Sequence, residues 1–172
     1  MHDIRQTFQS LTDTDDYGAL EPAISGQIME LHHSKHHNTY VTSFNTQSEK
    51  MAEAVQAGDI QTQIATQPLI NFHGGGHVNH TLFWENLAPK NSGGGEPPSG
   101  GLAKAIDSHY GSLDAMKQKF NTALAGIQGS GWAWLVQDTQ TGAIGIKTYA
   151  NQDPVVGQFR PILGVDAWEH AY

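Results

Sequence analysis

The segment NSGGGEPPSGG, residues 91–101, breaks both helix and strand and divides the chain into two stretches of different texture. Ahead of it, apolar residues recur at helical spacing. Glu21-Pro22 predicts a helix start, with proline in a first turn where its missing N–H costs nothing. Ile24, Ile28 and Leu31 then mark an apolar face that runs on toward Phe44. A second helical stretch, Ser48 to Ala57, closes at Gly58-Asp59, and together these predict an antiparallel helical hairpin. Residues 67–88 read as a further helix, interrupted by Gly74-Gly75-Gly76. Glycines inside a helix cost about 1 kcal/mol each relative to alanine. Either something approaches the backbone closely there, or a loop replaces the helix.

Behind the segment, Leu102 to His109 predicts a short helix, and Ser112 is a good N-cap for a longer one. Asp114 suits the positive end of that helix, and Leu113, Met116, Phe120 and Leu124 form its apolar stripe. From Gly129 the period changes. WAWLVQD (132–138) and AIGIKTYA (143–150) predict a β-hairpin, and PILGVDA (161–167) a third, buried strand. The expected fold class is α+β, with an N-terminal helical-hairpin lobe and a C-terminal α+β lobe carrying a small three-stranded antiparallel sheet. The expected divisions are a loose arm over 1–16, the hairpin domain over 17–90, the linker, and the second domain over 102–172.

Composition removes whole classes of chemistry. Cysteine is absent, so disulfides, thiolate metal sites and cysteine nucleophiles are excluded. Any metal must take histidine nitrogen and carboxylate oxygen, of which ten histidines offer a rich supply. The net charge of −8, with only nine Lys and Arg, argues against a nucleic-acid partner. No apolar run approaches the roughly 20 residues that span a membrane. The opening MHDIRQTFQSLTDTDD has the wrong balance for a transit peptide and lacks the apolar core of a secretory signal.

Chemistry-bearing residues gather in three clusters. In LHHSKHHNTY (31–40), His32, His36 and Tyr40 recur every four residues in line with Ile28, while His33 and His37 form a second such pair on another face. Polar rings continuing a buried stripe must find partners, and a metal or a hydrogen-bonded relay would supply them. Spacing alone does not choose between the pairs. HGGGHVNH (73–80) adds His73, His77 and His80, and DAWEH (166–170) places Asp166 and His170 around Trp168. If Asp166 closes a strand and His170 opens a helical turn, both can point at one centre. Three such clusters on three elements point to a mononuclear His/His/Asp/His metal site.

The strings YGALEP (17–22), LHHSKHH (31–37), GGGHVNHTLFWENL (74–87), IQGSGWAWL (127–135), NQDPV (151–155) and GVDAWEHAY (164–172) resemble the iron/manganese superoxide dismutase family. The likeness is closest to the fungal mitochondrial-type manganese members and spans Tyr17 to Tyr172 in order and spacing. It implies an enzyme that disproportionates superoxide into dioxygen and hydrogen peroxide by redox cycling of one manganese. The implied ligands are His32, His80, Asp166 and His170, with solvent as a fifth. His36 and Tyr40 become gateway residues, and His33, His37, His73 and His77 take structural roles. A glutamine that tunes the potential sits in an NQDP motif in manganese members, here Gln152, and at the position of Gly76 in many iron members. Gly76 with Gln152 is the manganese pattern, and it implies that Gly76 leaves space for the Gln152 amide. Trp84, Trp132 and Trp168 would cage the site, and the Tyr40–Gln152 network would help deliver protons. Lys35 is a candidate for steering substrate, with a solvated surface lysine as the alternative.

The resemblance also implies a homodimer or homotetramer, in which Glu169 bridges to His170 of a second subunit. It implies the mitochondrial matrix; the N-terminus, showing no import signal, leaves the cytoplasm as the alternative. Residues 1–16 stand where the family has a short proline-containing entry strand. Family members continue past WEHAY with another tyrosine and a C-terminal helix, whereas this sequence ends at Tyr172. The expectation drawn from that end is weaker dimerisation and lower stability. Two other readings compete. A non-catalytic dismutase-like subunit, as in mitochondrial ribosomes, would have lost ligands that are intact here. A zinc hydrolase would use the same donors with an activated water, but the sequence has no HExxH motif.

Overall fold

A computed structural model describes residues 16–171. The arm expected over 1–16 therefore lies outside the described residues except for Asp16, and so does Tyr172. Asp16 accepts the Gly18 N–H at 2.9 Å and caps a 3₁₀ turn, Tyr17–Leu20. The chain forms two compact units. One comprises Met1–Trp84 with Gln152–Pro154, the other Glu85–Asn151 with Val155–Tyr172.

In the first unit, α1 (Gly26–Leu31), a π-helical segment (His32–His37) and α2 (Asn38–Ala57) follow one another directly. Two expectations are corrected here. The helix opens at Gly26, where the Ser25 hydroxyl accepts the Ile28 N–H at 3.3 Å, and Pro22 lies in the preceding turn. Serine supplies the cap acceptor that proline cannot. The stretches read as two helices are one, because Asn45, Thr46 and Gln47 contain no breaker. Gly58 ends α2 in the left-handed conformation, at φ 69°.

The hairpin is completed by α3 (Ile60–Glu85), which starts about two turns before the expected Gln67. Asp59 holds that start, accepting the Thr62 N–H at 3.0 Å and its hydroxyl at 2.6 Å. The helix accommodates Pro68 and runs unbroken through Gly74-Gly75-Gly76. Along α2 and the π segment, α3 is met in reverse order: Ala54 with Gln63, Phe44 with Gly74, Tyr40 with Gly76, His37 with His77, His32 with His80. The two helices are antiparallel.

The glycines are explained by what stands against them. A Cβ on Gly74 would come within 3.0 Å of the Phe44 ring, and one on Gly75 would collide with the backbone carbonyl of Gln152. A Cβ on Gly76 would meet the Tyr40 ring at 2.5–2.9 Å. The expectation that Gly76 makes room for the Gln152 amide is thereby corrected. Tyr40 fills that space, and Gln152 presses on α3 at Gly75 through its main chain.

The second unit carries α4 (Gly100–Tyr110), α5 (Leu113–Ala125) and a sheet of β1 (Gly131–Asp138), β2 (Ile144–Ala150) and β3 (Phe159–Asp166). Ser112 caps α5 by accepting the Ala115 N–H at 3.1 Å, as its position predicts. Strand order is β2-β1-β3, all antiparallel. The central β1 is buried from Gly131 to Val136, and Ile106, Met116, Phe120, Ala133, Leu135 and Ile144 form the core. The third strand is not the buried strand expected: only Gly164 and Asp166 are buried on it, and Leu163 is 37% exposed. It is an edge strand, which is where Pro161 can lie without losing a ladder bond. Its register slips beside Pro161, Leu135 pairing with Leu163 and Val136 with Pro161. Asn86 fastens it from outside the sheet, accepting the Gly164 N–H at 2.8 Å and donating to the Ile162 carbonyl at 3.4 Å. Among the described residues no helix is long and apolar enough to cross a membrane.

Packing against Gly75 and Gly76 gives a direct test. Gly75→Ala and Gly76→Ala each lower unfolding stability by about 1–3 kcal/mol in urea titrations, as overpacking does. Gly101→Ala, in α4 with nothing within 4 Å of the new methyl, raises it by about 0.5–1 kcal/mol. Equal effects at the three positions would contradict this packing.

Candidate metal centre

In the first unit the π segment decides which side chains turn inward. In an ideal α-helix, residues five apart differ by roughly 140° around the axis. The Asn38 N–H donates to the His33 carbonyl five residues back, and that wider winding draws His32 and His37 toward one face. His32, His33, His37 and Tyr40 are all buried, whereas His36 is half-buried and Lys35 exposed.

His32 and His80 meet edge to face, ring centroids 4.9 Å apart. His80 is fully buried, and its Nδ1–H donates to the Gly76 carbonyl at 2.7 Å. A carbonyl only accepts, so that bond fixes the tautomer and leaves Nε2 as the lone-pair nitrogen, the state a metal ligand needs. Trp84 stands edge-on to His32 at 5.0 Å, with Phe83 at 5.5 Å and His36 at 6.3 Å. Tyr40 lies 5.1 Å from the His80 ring, and its hydroxyl accepts the Gln152 Nε2–H at 3.0 Å. Gln152 is fully buried, and its carbonyl accepts from Asn79 Nδ2 at 3.2 Å.

The other predicted residues lie in the second unit. Asp166 closes β3 and is paired in register with the buried Trp132. Asp166 Oδ1 accepts the Trp168 N–H at 2.9 Å, and Oδ2 stands 3.3 Å from His170 Nε2. His170 sits in a 3₁₀ turn, Glu169–Ala171, with its ring stacked on Trp168 at 5.5 Å and 25°. The Trp168 indole donates to the Asn151 carbonyl at 3.0 Å. Asn151 itself holds a left-handed φ of 52°, a conformation asparagine tolerates better than most residues. Glu169 is exposed.

The donor chemistry fits a metal. His32, His80, Asp166 and His170 each offer one ligand atom, nitrogen or carboxylate oxygen, and the first three are buried. Two donors about 2.1 Å from one ion stand roughly 3.0–3.4 Å apart for octahedral to tetrahedral angles, and the Asp166–His170 separation falls in that range.

Several functional neighbours were not legible in the sequence. Trp84 Nε1–H donates to His37 Nδ1 at 2.9 Å, and His37 Nε2 lies 2.9 Å from His77 Nδ1. Burial, followed by the neighbouring His77, His33 and His32, lowers the His37 pKa from 6.5 to about 3, so the ring is neutral. Burial lowers His73 and His77 as well. Tyr17 pairs with His33 Nδ1 at 3.2 Å. The i, i+4 spacing of His33 and His37 marked a second face without showing that it turns inward, and Asn79 and Asn151, though inside quoted motifs, carried no signal of their own.

Residues 10–88 match the family described as iron/manganese superoxide dismutases, alpha-hairpin domain, and residues 98–172 match the C-terminal domain of the same family. The chain is 52% identical over 170 residues to superoxide dismutase [Mn] 1, mitochondrial, of Arabidopsis thaliana, covering 97% of this chain and 74% of that protein. Identity to the mitochondrial manganese enzyme of Capsicum annuum is 54% over 171 residues, covering 97% and 75%. To that of Saccharomyces cerevisiae it is 52% over 178 residues, covering 98% and 76%. With two family domains matched in order and relatives of this similarity, the chain belongs to the iron/manganese superoxide dismutase family.

Proposed function

We propose that this chain is a superoxide dismutase working through one manganese held by His32, His80, Asp166 and His170. The observation that carries the reading is the Asp166–His170 pair, a carboxylate oxygen and an imidazole nitrogen 3.3 Å apart, oriented by the Trp168 N–H and indole ring. Relatives named as manganese enzymes support the choice of metal. Held by these residues, manganese would supply the one-electron chemistry by which one superoxide is oxidised and a second reduced.

The side chains do the rest. Superoxide reduced to peroxide needs two protons, and Tyr40 is the group we assign to pass them. Its hydroxyl accepts the Gln152 amide, so its own proton is directed elsewhere, and the buried ring beside His80 cannot wander. Gln152 is held in turn by Asn79 through its carbonyl. His36, half-buried four residues before Tyr40, is assigned to renew the proton from solvent. Within the first unit Trp84 lies against His32 and His80, and within the second Trp168 stacks on His170 and Trp132 pairs with Asp166; we assign these rings to keep water from the donors beside them. Lys35, exposed on the π segment, is assigned to steer the anion.

We assign a homodimer in which the exposed Glu169 of each chain faces the partner subunit's His170, and the mitochondrial matrix as compartment, which fractionation of cells checks. Sedimentation of the manganese protein at micromolar concentration gives a dimer that Glu169→Ala weakens; a monomeric parent would remove the assignment. Elemental analysis tests the metal site itself. The parent carries about one manganese per chain and removes superoxide, whereas His80→Ala and Asp166→Ala lose the metal and at least about 100-fold of the activity. Stoichiometric zinc, hydrolytic activity and no superoxide removal would put the hydrolase in its place.

A further inference from the structure

His37 and His77 take no part in the proposed ligand set, yet their hydrogen bonds have a fixed direction. An indole N–H can only donate, so His37 Nδ1 is the acceptor of the Trp84 bond at 2.9 Å. A neutral imidazole then carries its proton on Nε2, which donates to His77 Nδ1 at 2.9 Å. Accepting there places the proton of a neutral His77 on its own Nε2. The chain runs in one sense, from Trp84 through His37 to His77.

Both imidazoles proposed as ligands in this unit lie against members of that chain. The His37 ring stacks on His80 at 5.7 Å and 21°, and Trp84 stands edge-on to His32 at 5.0 Å and 77°. His37 is fully buried, while His77 is half-buried at the outer end. His77 is anchored by Thr81, whose hydroxyl donates to the His77 carbonyl at 2.9 Å. Were the acceptor at His77 lost, His37 would either bury an Nε2–H with no acceptor in this direction or adopt the other tautomer. The second choice sets an Nδ1–H against the indole N–H, two donors face to face, and drives Trp84 away from His32.

We propose that His77 and His37 are positioning residues for the metal centre: His77, by accepting from His37, fixes the tautomer that holds Trp84 against His32 and His37 against His80. The consequence for catalysis rests on the manganese dismutase reading; the hydrogen-bond chain does not. A merely structural pair would change stability alone.

The test uses the manganese-loaded full chain and the indole N–H marker of ultraviolet resonance Raman spectra, with Trp84→Phe identifying the Trp84 contribution. His77→Leu shifts that contribution to the weakly hydrogen-bonded position and lowers kcat about tenfold at unchanged manganese content. His77→Asn, whose Oδ1 can accept in place of Nδ1, restores the band and brings kcat back to within about twofold of the parent. Trp84→Phe, which keeps a ring and deletes the donor, reproduces the loss in kcat and serves where His77→Leu does not fold. A folded, loaded His77→Leu with parental band and kcat would overturn the proposal, as would parental kcat in Trp84→Phe. A parent that removes no superoxide sinks the dismutase reading, and the Raman shift then still decides whether His77 orients Trp84.

Discussion

Two methyl groups that α3 does not carry set the conditions for the rest of the first unit. At Gly75 the main-chain carbonyl of Gln152 occupies the place of a side chain, and at Gly76 the Tyr40 ring does. Because α3 passes so close, Tyr40 can lie flat against it, the Gln152 amide can reach the Tyr40 hydroxyl at 3.0 Å, and Asn79 can tie down the Gln152 carbonyl. The same turn supplies the Gly76 carbonyl that orients His80. A helix built from good formers would be more stable locally and would have no room for this arrangement. The cost of consecutive glycines is offset by burying a polar network in which each observed bond has a defined donor and acceptor.

The second constraint is electrostatic. A cluster of buried histidines would be untenable if the rings were charged, and the structure meets this by fixing protons through hydrogen bonds. His80 holds its Nδ1 proton against Gly76, and His37 holds its Nε2 proton against His77 because Trp84 leaves it no alternative. Desolvation keeps His37 neutral far below the ordinary range of an imidazole. In the second unit Asp166 is managed differently, with one oxygen on a backbone N–H and the other facing His170. Imidazole lone pairs and a carboxylate, prepared in advance, are what a redox metal of intermediate hardness binds.

Much of this was legible in the sequence. The change of period at Gly129, the cap at Ser112 and the β1–β2 hairpin are local signals, and the structure follows them. The strand carrying Asp166 was readable from its pattern, and the turn at His170, which the sequence offered only as a condition, is present as a 3₁₀ turn. What failed depended on tertiary context. Pro22 looked like a helix start until Ser25 supplied a better cap, and β3 looked buried because its apolar residues give no sign of which strand lies at the edge. The π segment was invisible, since residues spaced by four fit an α-helix equally well, and with it went the inward turn of His37. Motif reasoning brought Gly76 and Gln152 together as partners; only coordinates show Tyr40 standing against Gly76.

Disproportionation by these residues makes superoxide both oxidant and reductant. The most direct measurement is the yield of dioxygen and hydrogen peroxide as the manganese-loaded chain consumes excess superoxide with no other electron donor present. The expected result is many turnovers per manganese, with one dioxygen and one peroxide formed for every two superoxides. Decay no faster than in buffer, or peroxide formed one-for-one at the expense of an added reductant, would contradict it.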